Sequence, residues 1–160
     1  MDRKLGMLIE ILLVEDNPAD VRLTVEAFAS ARMEAHLTVA ADGVEALGLL
    51  RGIPPQEKAG DFDLILLDLN LPRKNGREVL AELKKDPELK HIPVIILTTS
   101  EAEEDICIAY AAHANCYVTK PVGFKPFMRV IQSIDDFWLS VATLPGRDAD
   151  GYKFASSVAY

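Results

Sequence analysis

Three short apolar runs constrain this chain more than any other feature: Ile11-Leu12-Leu13-Val14, Leu64-Ile65-Leu66-Leu67 and Val94-Ile95-Ile96-Leu97. Each is followed by a polar residue. A strand with one wet face alternates apolar and polar residues. A short run without alternation needs cover on both faces, which is the situation of strands in a parallel sheet. The segments 36–40 and 116–119 are weaker strand candidates.

Helical signals fill the gaps. Asn17-Pro18-Ala19-Asp20 is a start signal, because Asn caps, Pro is pre-set for the first helical position and an acid suits the first turn. Val21, Val25 and Phe28 then recur at i, i+4 and i+7. Further helices are predicted over about 43–51, 77–85, 103–112 and 124–139. Strand and helix thus alternate five times, which predicts an α/β chain with an open, doubly wound parallel sheet and helices on both faces. The Pro- and Gly-rich stretch 52–60 reads as a loop. Residues 1–145 read as one domain, the last helix being extended, and 146–160 as a short polar tail.

Composition narrows the function classes. The chain has 160 residues, enough for one domain with its own core, and a formal charge of −8. That acidity repels a phosphate backbone, so nucleic acid is not an expected partner. Cys107 and Cys116 do not make a disulfide framework, and His36, His91 and His113 lack zinc-ligand spacing around them. Both cysteines are expected as small packed hydrophobes. Glu10 interrupts the early apolar stretch, and no run approaches the ~20 residues a membrane span needs. A cytoplasmic protein that does not enter the membrane is expected.

In such sheets ligands sit outside the C-terminal ends of the strands. Glu15 and Asp16 follow the first apolar run, Asp68 and Asn70 the second, Thr98 the third, and Lys120-Pro121 the last strand candidate. Taken singly, these are a solvated turn, a helix cap and a loop. Their order puts three carboxylates, a hydroxyl and an amine at the same end of successive strands. Clustered carboxylates call for a cation, a proton or a basic partner. Oxygen ligands suit Mg²⁺, and an Asp beside that metal can act as a nucleophile toward a phosphoryl group. Lys120 and Thr98 would then contact the transferred oxygens.

The segments Ile11-Leu-Leu-Val-Glu-Asp-Asn17, Leu64-Ile-Leu-Leu-Asp-Leu-Asn-Leu-Pro72, Pro93-Val-Ile-Ile-Leu-Thr98 and Tyr117-Val-Thr-Lys-Pro121 together resemble the signature segments of response-regulator receivers. The resemblance implies a flavodoxin-like sheet of strand order 2-1-3-4-5. It implies that Asp68 accepts the phosphoryl group and that Asp16 ligates Mg²⁺. Glu15 would act on the metal through water, and Asn70 would offer its backbone carbonyl. It further implies that Thr98 is the switch hydroxyl, that Lys120 pairs with the phosphoryl group, that the Lys120–Pro121 bond is cis, and that Tyr117 is an aromatic which turns inward on activation. Two positions depart from the usual pattern. The acidic pair is Glu-Asp rather than Asp-Asp, and Thr99 stands where a small residue is usual, implying slower access to phosphorylated Asp68.

Rival classes are less well supported. Aspartyl-phosphate phosphatases usually carry Asp-x-Asp, and here the second position is Asn70, which cannot shuttle a proton. Neither G-x-G-x-x-G nor G-x-x-x-x-G-K-[ST] is present. No output domain follows the receiver-like segment, so output is expected through its own surface rather than through enzymatic turnover of another substrate. The stretches 68–77 and 135–145 resemble the receivers that partner bacterial phytochrome histidine kinases. Phe137, Trp138 and Leu139 are three large apolar residues in a row, which one helix face cannot bury together. They are the expected interface of a homodimer formed through the fourth helix, fifth strand and fifth helix.

Overall fold

The computed structural model describes residues 8–30, 35–56 and 61–145. Its strands are β1 (Ile9–Val14), β2 (Ala35–Ala40), β3 (Leu64–Leu67), β4 (Val94–Thr98) and β5 (Cys116–Thr119). They alternate with helices α1 (Pro18–Ala29), α2 (Gly43–Arg51), α3 (Gly76–Lys85), α4 (Glu103–Ala111) and α5 (Phe124–Ile134). All pairings are parallel, in the order β2-β1-β3-β4-β5. The tail 146–160 lies outside the described residues.

The period of two along each strand divides the apolar runs between two layers. Leu12, Val14, Ile65, Leu67, Val94 and Ile96 pack in one layer with Leu47 and Leu50 of α2 and Val79, Leu80 and Leu83 of α3. Ile9, Ile11, Leu13, Leu64, Leu66, Ile95 and Leu97 pack in the other with Phe28 of α1 and Phe127, Ile131 and Ile134 of α5. Burial on both sides is why these strands carry no polar alternation. Strand β5 lies at the sheet edge and is only half-buried throughout.

The helix starts follow from local chemistry. Asn17 caps α1 by accepting from the N–H groups of Ala19 and Asp20, Asp42 caps α2 from Glu45, and Asn75 caps α3 from Glu78. Gly76 opens α3 against the backbone of β3; a Cβ there would lie 2.1 Å from the carbonyl oxygen of Asp68. That close approach sets α3 directly beneath the loop that carries Asp68.

The last helix differs from expectation. Its α-helical part ends at Ile134, and Asp135–Leu139 form a π-helical turn. A π turn bonds i to i+5, so the residue that follows Ile134 into the core is Leu139 rather than Trp138. Leu139 is accordingly buried, and Leu144 joins the same layer. No helix among the described residues is long and apolar enough to cross a membrane.

Candidate functional site

Parallel strands deliver their C-terminal ends to one edge, and three backbone bonds continue the pairing just beyond them. Glu15 N–H donates to the Ala40 carbonyl at 3.0 Å, Asp68 N–H to Val14 at 3.0 Å, and Lys120 N–H to Thr98 at 2.7 Å. These bonds align segments at 14–15, 40, 68, 98 and 120 along that edge. Glu15, Asp16 and Asp68 each present a carboxylate oxygen within 4.8 Å of the others. The donors are all oxygen, the set that a hard divalent cation takes, and the residues present therefore fit such an ion.

Lys120 closes the site from β5. Its Nζ donates to Glu15 Oε2 at 2.5 Å, to Asp68 Oδ2 at 3.0 Å and to Asp20 Oδ2 at 3.0 Å. Glu15, Asp68, Thr98 and Lys120 are all buried, whereas Asp16 is exposed. On the other side Asp68 Oδ1 accepts from Asn70 N–H at 3.0 Å, and Asn70 Nδ2 lies 3.5 Å from the Thr98 hydroxyl. Glu15 Oε1 accepts from Asn17 N–H at 3.0 Å. The loop after β1 thus orients its own acid.

The electrostatics follow from burial and from charges held close together. Burial pushes Glu15 up to about 7, with the Asp68 charge adding to it and Lys120 opposing it. Burial works on Asp68 in the same direction, but the Asn70 N–H, the Lys120 charge and the hydrogen bonds from Glu15 and Lys120 overcome it and hold the carboxyl below its usual range. Burial disfavours the Lys120 ammonium too, yet the hydrogen bond and charge of Glu15, then Asp68 and Asp20, raise its pKa above the ordinary lysine value. The site therefore favours an ionised Asp68 beside a firmly charged Lys120, while burial makes Glu15 easier to protonate than an ordinary glutamate.

Sequence reasoning located Glu15, Asp16, Asp68, Asn70, Thr98 and Lys120, and the fold brings them together. Asp20 was missed as a member of the site. Read as a first-turn helix acid, it is also the third partner of Lys120. Its signal was an acid in the first turn of α1, four residues after Asp16. Tyr117 is half-buried and donates its hydroxyl to the Ser100 carbonyl at 2.9 Å, so the ring side of β5 is tied to the loop after β4.

Three expectations need correction. The only cis peptide bond among the described residues is Pro54–Pro55, so the Lys120–Pro121 bond is trans. Trans is the state favoured at X–Pro bonds, by about 0.5–1 kcal/mol. Leu139 is in the core rather than at an interface, for the reason given by the π turn. Phe137 does face outward, 54% exposed, with Trp138 half-buried against it in an edge-to-face contact. Cys107, expected as a packed hydrophobe, is exposed on α4, and Cys116 is half-buried. Beside the two aromatics lies a groove of about 300 Å³, lined by Val118, Val130, Ile134, Phe137 and Trp138 among others.

Comparison with known proteins agrees with this geometry. Residues 11–132 match the family model of the response regulator receiver domain. Response regulator Rcp1 of Synechocystis sp. is 47% identical over 135 residues, which cover 84% of this chain and 92% of that relative. Among solved structures, the phosphorylated cyanobacterial phytochrome response regulator RcpA is 48% identical with a TM-score of 0.84, covering 88% of this chain and 100% of that one. The Mn²⁺-bound form of Rcp1 is 46% identical with a TM-score of 0.83, covering 86% and 99%. Fold, site composition and sequence likeness converge: this chain belongs to the response-regulator receiver family of two-component signalling.

Proposed function

We propose that Asp68 accepts a phosphoryl group from the phosphohistidine of a sensor kinase, and that this changes which partners the chain's surface binds. The observation that carries the reading is Lys120 Nζ 3.0 Å from Asp68 Oδ2, with the Glu15 and Asp16 carboxylates grouped around the same aspartate. A carboxylate oxygen of Asp68 attacks phosphorus. The bond from phosphorus to the imidazole nitrogen breaks, and its electron pair stays on that nitrogen. Glu15, Asp16, Asp68 and the Asn70 carbonyl are the groups that would hold Mg²⁺. When bound, the ion neutralises the clustered carboxylates and offsets the charge of the incoming phosphoryl group. Lys120 and the Thr98 hydroxyl donate to the phosphoryl oxygens.

The switch consists of Thr98, Tyr117 and the adjoining α4. Phosphorylation adds strong acceptor oxygens next to Thr98 and Lys120, and the arrangement that reaches them best is favoured by its differential affinity. The likeness to RcpA supports a kinase of the bacterial phytochrome type as the donor. Exposed Ile108 and Tyr110 on α4, together with Phe137, support a homodimer through α4, β5 and α5. Sedimentation with and without beryllofluoride tests the dimer, and a monomer at high concentration in both states sinks it. Residues 1–145 form the functional unit of this reading.

The central test is intact mass after incubation with acetyl phosphate and Mg²⁺, run beside Asp68→Asn and a chelated control. One added phosphoryl group, seen only with Mg²⁺ and only with Asp68 present, is the expected result. An equal gain in mass in Asp68→Asn would refute the assignment of the acceptor.

A further inference from the structure

We infer that Asp20 is a positioning residue for Lys120, keeping its ammonium beside Asp68 when a divalent cation draws on the other acids; the inference rests on the reading of Asp68 as phospho-acceptor. A lysine ammonium has three N–H donors, and all three are engaged here, by Glu15, Asp20 and Asp68. These partners are not equivalent. Glu15 and Asp68 belong to the group of carboxylates that converge within 4.8 Å as cation donors, and Asp20 does not. A cation at that group competes with Lys120 for two of its three anchors and leaves the Asp20 anchor in place.

Asp20 is suited to the task because its backbone is held by contacts of the helix start. Its N–H donates to the Asn17 cap at 3.2 Å, and its carbonyl accepts from the buried Thr24 hydroxyl at 2.7 Å. It sits in the first turn of α1, where a negative charge is favoured by the unpaired N–H groups of the helix start. Its side chain is 26% exposed, more open to solvent than the Glu15 and Asp68 carboxylates. Lys120 has a flexible four-carbon stem with many rotamers, and a fixed carboxylate on the far side of the ammonium selects the one that faces Asp68. The residue acts through Lys120 and touches neither the phosphoryl group nor the metal.

The experiment follows phosphorylation by acetyl phosphate at saturating Mg²⁺ as a time course of intact mass. Wild type, Asp20→Asn, Asp20→Ser and Asp20→Glu are compared, each also in a Lys120→Ala background. Mg²⁺ affinity is measured separately by calorimetry. Asp20→Asn and Asp20→Ser are expected to lower the maximal rate by about tenfold, short of the roughly hundredfold that a misplacement of about 1 Å can cost, with KM for the donor and Kd for Mg²⁺ changed less than about twofold. Asp20→Glu is expected to restore most of the rate. In the Lys120→Ala background the Asp20 substitutions are expected to have no further effect, because their route to the reaction is gone. An unchanged rate overturns the inference, as does an equal loss in both backgrounds, which would mark a purely structural role, or a loss that tracks Mg²⁺ affinity, which would make Asp20 a ligand. A wild type that takes up no phosphoryl group would sink the reading of Asp68 and this role with it. A phosphorylated wild type with indifferent Asp20 variants would sink this role alone.

Discussion

Arg77 of α3 and Asp105 of α4 are joined by two hydrogen bonds to one carboxylate oxygen, 2.5 Å from Nη2 and 3.2 Å from Nε. The other oxygen of Asp105 accepts from the Ser100 hydroxyl at 2.5 Å, and the Ser100 carbonyl accepts from Tyr117. One acid therefore links α3, the loop after β4, α4 and β5. The hydrogen bonds from Ser100 and then Arg77 hold its carboxyl below the usual range, so the link is charged at neutral pH. Asp105→Ala is expected to release the segment that carries Tyr117 and to weaken binding of beryllofluoride with Mg²⁺ by about fivefold, the low end of measured couplings. Calorimetric titration checks this, and unchanged affinity would show that the link does not reach the site.

Thr98 is fully buried at the end of β4, with its hydroxyl 3.5 Å from Asn70 Nδ2. Thr98→Ala is expected still to accept the phosphoryl group on Asp68, at a rate lowered by at most about 10²–10³-fold, the loss of one donor to the developing charge. It is also expected to lose the change in oligomeric or partner state that phosphorylation brings. Intact mass and sedimentation on the same sample separate the two effects.

Gly76 has no room for a side chain, since a Cβ would meet the Asp68 carbonyl oxygen at 2.1 Å and Leu69 Cα at 2.6 Å. Both neighbours are backbone and cannot rotate away. Gly76→Ala is expected to destabilise the fold by about 1–3 kcal/mol, the usual range for overpacking, and to slow phosphorylation by shifting Asp68. Denaturant unfolding and the mass assay measure the two parts.

Lys120 balances Glu15 and Asp68 where both are buried. Lys120→Met leaves those carboxylates without their partner, and removing one member of a buried ionic group costs about 3–5 kcal/mol. That loss is expected in the presence of chelator. Millimolar Mg²⁺ is expected to recover part of it by binding the same oxygens. Melting temperatures of the variant with and without Mg²⁺ decide the point.

Lys84 supplies a pH dependence remote from the site. Its Nζ donates to the carbonyls of Lys90 at 3.0 Å and Ile92 at 2.9 Å and to Asn115 Oδ1 at 3.2 Å, and burial lowers its pKa from 10.5 to about 8. Between about 8 and 10.5 the folded protein has lost a proton that the unfolded chain retains. Unfolding then takes up a proton, so this group's contribution to stability rises with pH across that window and falls away below it. Denaturant midpoints at pH 7.5, 9 and 10 are expected to show wild type gaining on Lys84→Met as pH rises, where a constant difference would contradict the shift.

Much of this protein was legible without coordinates because the signals are local. Unbroken Ile, Leu and Val runs specify strands buried on both faces, and Asn17-Pro18 specifies a helix start whatever surrounds it. The strand ends then named Glu15, Asp68, Thr98 and Lys120, because parallel topology carries every such end to one edge. What only the tertiary structure decided involves contacts between distant segments or small energy differences. Asp20 reads as a helix-start acid until the start of α1 and the residue after β5 are brought to one edge of the sheet, since its partner is 100 residues away. The Arg77–Asp105 link depends in the same way on how α3 meets α4. Leu139 and Trp138 are both large and apolar, and a single π turn chose which one entered the core. The Lys120–Pro121 bond is trans, the state favoured at X–Pro by about 0.5–1 kcal/mol, and the residue types around it did not reveal which isomer the fold takes.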